Sequence, residues 1–136
     1  MAKMMSTLAS DGTKISFEGR LSTADLVHIE NVTFEESEVL KRATIAPLLD
    51  FVILPLTQQS LSVIEKAISS KIAFGPKGII HVQIAKEGQM AFAAYDGFGK
   101  ECVVAYAAVP AVLLDELKRA KVLRGYRRAT APPPRQ

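Results

Sequence analysis

Three strand-like runs near the end of the chain constrain its fold most: Ile79 to Lys86, Gln89 to Tyr95 and Glu101 to Ala108. They are joined by Glu87-Gly88, a two-residue hairpin signal, and by Asp96-Gly97-Phe98-Gly99, a longer glycine-bearing loop. Connections this short permit antiparallel neighbours only, because a parallel return needs about a dozen residues or more. An antiparallel meander is therefore predicted. Pairing Lys86 with Gln89 sets His81 opposite Ala94. Ile80, Val82, Ile84, Ala91, Ala93 and Tyr95 then share one face, with His81, Gln83, Met90 and Phe92 on the other, and a one-residue slip reverses the assignment. Apolar or small residues fall on both faces, as in Met90 to Tyr95 and Val103 to Ala108. Such a sheet has to be covered on both sides, by its own helices or by a second chain.

Upstream, Thr13 to Leu21 alternates: Ile15, Phe17 and Leu21 on one side, Lys14, Ser16, Glu18 and Arg20 on the solvent side. Leu26 to Phe34 reads as a second strand, with a short helix capped at Ser22 as the alternative. Thr33-Phe34-Glu35-Glu36 fits a capping box, and Glu35, Glu36 and Glu38 suit the positive end of a helix. That helix is expected to end near Ala46, before Pro47. Leu48 to Leu54 is apolar enough to be buried as either strand or helix. Beyond Pro55, Thr57 caps a predicted helix with Leu61, Ile64 and Ile68 on one stripe, ending near Lys71. A last helix is predicted from Pro110 to about Arg124, with Leu113, Leu114, Leu117 and Ala120 buried and Gly125 as its stop.

With 136 residues, 49% of them hydrophobic and 23% charged, the chain has the composition of one folded domain. The fold class expected is α+β, with the three-stranded meander and an amino-terminal strand or hairpin packed with two to three helices. Residues 1–12 are expected to be a flexible start, 13–125 the domain, and 126–136 a basic, proline-rich disordered tail. The start lacks the continuous apolar core of a signal peptide, and no window has the roughly 20 apolar residues of a membrane span. A cytoplasmic protein is the resulting expectation.

Chemistry has few handles. One cysteine, Cys102, excludes an internal disulfide and a cysteine-rich zinc site, and a small buried thiol is its expected role. His28 and His81 have no ligand-spaced neighbours, so both read as half-exposed strand residues, and no metal or cofactor is expected. Gly97-Phe98-Gly99-Lys100 resembles the end of a phosphate loop, but a strand follows where the helix of such a loop is required. Asp96 beside Tyr95 is explained by turn chemistry. No nucleophile elbow is present, and an enzyme is not expected.

Charge is unevenly distributed. The net charge is +3, but Pro110 to Gln136 holds seven basic side chains against Asp115 and Glu116, while the rest is slightly acidic. Lys118, Lys121, Arg124, Arg127 and Arg128, with Tyr126 between them, form a candidate strip for a partner's acidic surface or for phosphates. The expected function is that of a small non-enzymatic protein-binding module, an adaptor, inhibitor or regulator, self-associated as a homodimer or held by a protein partner. The alternative is nucleic-acid binding through the basic carboxy-terminal helix and tail.

Overall fold

The computed structural model describes residues 2–21, 26–44, 46–69, 78–95, 103–106 and 109–119, with backbone alone at 2 and 117–119. The fold is α+β. In chain order the elements are α1 (Ala2–Leu8), β1 (Thr13–Gly19), β2 (Asp50–Pro55), α2 (Leu61–Ile68), β3 (Ile79–Lys86), β4 (Gln89–Ala94), β5 (Val103–Ala105) and α3 (Ala111–Arg119). The strands form one five-stranded sheet in the order β2-β1-β3-β4-β5, and every neighbouring pair is antiparallel.

All three helices lie on one face of this sheet. Ile15, Phe17, Val52, Leu54, Val82, Ile84, Phe92 and Ala94 project there and meet Met4, Met5 and Leu8 of α1, Ile64 and Ile68 of α2, and Leu113 of α3 in a single core. Expected to be flexible, the amino-terminal segment is instead part of this core: Met4, Met5 and Leu8 fall on one side of α1 and are buried. The end of α1 is fixed when the Thr13 hydroxyl donates to the Leu8 carbonyl at 2.6 Å. A surface pair, Lys3 Nζ to Glu116 Oε2 at 3.1 Å, ties α1 to α3. Such an exposed pair contributes little, on the order of 0.5 kcal/mol.

Several boundaries depart from expectation for identifiable reasons. No helix forms over the described residues of 33–46. Thr33 exchanges both backbone hydrogen bonds with Ile53, and Glu36 accepts the Arg42 N–H at 2.8 Å instead of reaching back to a helix start. The predicted second strand over 26–34 is reduced to this one bridge, preceded by turns. Of the apolar run after Pro47, expected to be buried, Phe51 to Leu54 are buried in strand β2, whereas Leu48 precedes the strand and is 70% exposed. At α2 the amino-terminal cap is Ser60 rather than Thr57, whose hydroxyl accepts the Ser60 N–H one turn earlier, at 3.1 Å.

The meander is present, with β3 at its predicted bounds and β5 described over Val103–Ala105, while 101–102 and 107–108 of its predicted run lie outside the described residues. Glu87 and Gly88 adopt φ values of 53° and 79°, the left-handed pair that a two-residue hairpin turn requires. Lys86 pairs with Gln89 as expected, but the register shifts between Ile84 and Ala85, so Val82 faces Ala94. This bulge overturns the predicted facial sets: Phe92 joins the helix-covered core, while Ala93 moves to the opposite face. Bulges of this kind add one residue to one strand and invert the alternation beyond it.

Candidate functional site

Among the described residues no helix lies on the second face of the sheet. The register aligns Phe51, Glu18 and His81 in one row and Ile53, Ser16, Gln83, Ala93 and Val104 in the next. Ser16 and Glu18, expected to face solvent, are each only 2% exposed, and His81 is 4% exposed rather than half-exposed. What buries them is the irregular chain between β1 and β2. Leu40 inserts over Phe51, Ile53 and Ala85, with Val39 and Met90 beside it. Around that plug, polar side chains rising from the sheet hold the segment by its backbone.

The Glu18 carboxyl oxygens accept the N–H groups of Ala43 at 2.7 Å and Thr44 at 3.2 Å. Gln83 Oε1 accepts the Lys41 N–H at 3.1 Å, and Gln83 Nε2 donates to the Tyr95 hydroxyl at 3.0 Å. Thr44 Oγ1 lies 2.7 Å from His81 Nε2, and the His81 ring meets Tyr95 edge-on with centroids 5.8 Å apart. Arg42 completes the closure, its guanidinium over the Phe51 ring and donating to the Leu49 carbonyl. Residues 37–44 form a strap fastened to the sheet through side chain to backbone bonds.

Chemically, this arrangement is closed. A hydroxyl beside an imidazole is the pairing used in nucleophilic catalysis, which also requires a base held by a third group and an opening for substrate. Here the Thr44 hydroxyl and the His81 imidazole serve the attachment of the strap, and among the described residues no buried side-chain nitrogen or oxygen lacks a partner. No group of three His, Cys, Asp or Glu side chains converges on a metal position among those residues. Their helices include none long and apolar enough to cross a membrane.

The two edges of the sheet differ sharply. On β2, Thr33 occupies the outward groups of Ile53, and Pro55, two residues further along the same edge, has no N–H to offer. On β5, Tyr106 donates its N–H to the Ala91 carbonyl at 2.9 Å. Antiparallel alternation then turns Val104 toward β4 and directs the N–H and C=O of Val103 and Ala105 outward. No strand lies on that outer side among the described residues. Val103 is 39% exposed, and Val104 and Ala105 are half-buried, so among the described residues this edge is uncovered, and its three side chains carry no charge.

Sequence reasoning placed the site elsewhere. Lys118 belongs to α3 by its backbone, whereas its side chain and all of Lys121, Arg124, Tyr126, Arg127 and Arg128 lie outside the described residues. Cys102 and the 97–100 loop lie outside them as well. Glu18, Gln83 and Tyr95 were not anticipated as a group, because nothing local marks residues that meet only through a bulge and a strap. The comparisons add no precedent: no family model, curated protein or solved structure matches the chain.

Proposed function

We propose that this chain is a small, cytoplasmic, non-enzymatic protein-binding module, an adaptor or regulator that takes an extended strand onto the free edge of β5. One observation carries the reading: β2 is blunted by Thr33 and Pro55, whereas β5 presents outward backbone groups between apolar side chains. Natural sheets protect edges that must stay unpaired, and main-chain addition to an unprotected one is a recurrent mode of recognition. The engagement of the polar face by the strap supports the same reading, since those side chains already have structural roles.

Affinity capture from native extract, with wild type and Val103→Pro side by side, tests the proposal. Proline at the first residue of β5 removes an outward N–H and spares the bonds to β4. The wild type should retain proteins that survive nuclease treatment and that the variant loses. Capture that is equal for both chains would contradict the role of the edge. Retention abolished by nuclease and by raised salt would instead indicate nucleic-acid binding, because phosphate contacts weaken steeply with salt.

A further inference from the structure

We infer that the strand received by β5 is β5 of a second copy, paired about a two-fold axis at Val104. This inference rests on β5 being the working edge and specifies its occupant. In an antiparallel self-pairing centred on Val104, Val103 of each copy faces Ala105 of the other. Those are the two residues whose N–H and C=O point outward, so four hydrogen bonds satisfy every outward group of both strands. Side chains agree with this register. The larger Val103 meets the smaller Ala105 on the helix-covered face, and the two Val104 side chains meet on the other. No charge in the strand opposes its own copy, whereas an edge charge would block such pairing.

The blunted β2 edge sets the stoichiometry. With both edges open, copies would add head to tail into a filament; with β5 the one unblunted edge among the described strands, the contact is isologous and closes at two. Pairing through three residues covers much less than the roughly 1,200–2,000 Å² of a standard interface, so the dimer is expected to be concentration-dependent.

The register makes a specific test possible. Opposed Val104 residues form a non-hydrogen-bonded pair, with Cα atoms about 4.5 Å apart, inside the span a disulfide accepts. In a Cys102→Ala background, full-length Val104→Cys should cross-link to a dimer under mild oxidation at least tenfold faster than Val63→Cys, whose site on α2 is 50% exposed. Val103→Lys, which leaves the backbone free to pair, should raise the dimer dissociation constant at least tenfold in sedimentation. Equal cross-linking at both cysteines would overturn the inference, as would a wild-type chain that remains monomeric at high concentration. If capture by wild type is nonetheless lost in Val103→Pro, the binding-module reading stands and the occupant is a different protein. If that capture is also unchanged, both readings fail.

Discussion

Gly19→Ala should lower stability by about 3 kcal/mol, a large part of the roughly 5–15 kcal/mol that holds a domain together. Gly19 ends β1 with φ +154°, at the bulge where the β1–β3 register shifts. An added Cβ would lie 2.2 Å from the Gly78 carbonyl oxygen and 2.9 Å from both Ile79 Cα and Ile80 N. All three atoms are backbone, and Arg20 donates its N–H to the same carbonyl at 2.9 Å, so relief requires a shift of the central β1–β3 pair. Thermal unfolding should show the melting temperature falling by about 10 °C or more. Gly88→Ala provides the comparison: Gly88 has φ +79°, but a methyl group there would meet nothing within 4 Å, so only backbone strain of about 1 kcal/mol is expected. Equal losses at the two sites would show that close approach at Gly19 is not what selects glycine.

The second large effect concerns the strap. Glu18→Ala removes the acceptor for two N–H groups and leaves a gap beneath residues 43 and 44. Losing the partner of a buried polar group costs about 1–3 kcal/mol. Ala43 is exposed and its N–H can turn to water, so the loss should be concentrated in the strap rather than spread through the sheet. Hydrogen exchange of peptides spanning 40–44 should accelerate about 10- to 100-fold, with β1 and β3 amides changing much less. Glu18→Gln keeps one carbonyl acceptor and should fall between the two. Uniform acceleration across the sheet would mean that Glu18 supports the whole fold and not the strap in particular.

The parts of this fold legible in the sequence are those set by local chemistry. Glu87-Gly88 supplies the left-handed turn that joins β3 and β4, and the Ile64–Ile68 spacing gives α2 its buried stripe. What local chemistry leaves open is decided by tertiary contact. Thr33 to Glu36 has the signature of a helix start, yet among the described residues of the segment only Leu40 is fully buried, and its backbone is taken by Ile53, Glu18 and Gln83. Glu18 and Ser16 alternate as solvent residues do, and only the strap folding back from beyond β1 puts them out of water. The bulge at Ile84/Ala85 carries no glycine or proline to mark it, and it brings Tyr95 beside His81. The significance of β5 is likewise invisible locally, since it depends on which strand occupies the end of the sheet and on how the opposite end is closed.

Light scattering across a wide concentration range, on wild type and Val103→Pro, tests the central claim most directly. The wild type should shift from the monomer mass of 14.8 kDa toward twice that value as concentration rises, without going further. Val103→Pro, with unchanged circular dichroism, should remain at the monomer mass throughout. A wild type that is monomeric at every concentration, or a variant that dimerises as well as the wild type, would contradict the assignment of β5 as the edge that recruits a second copy.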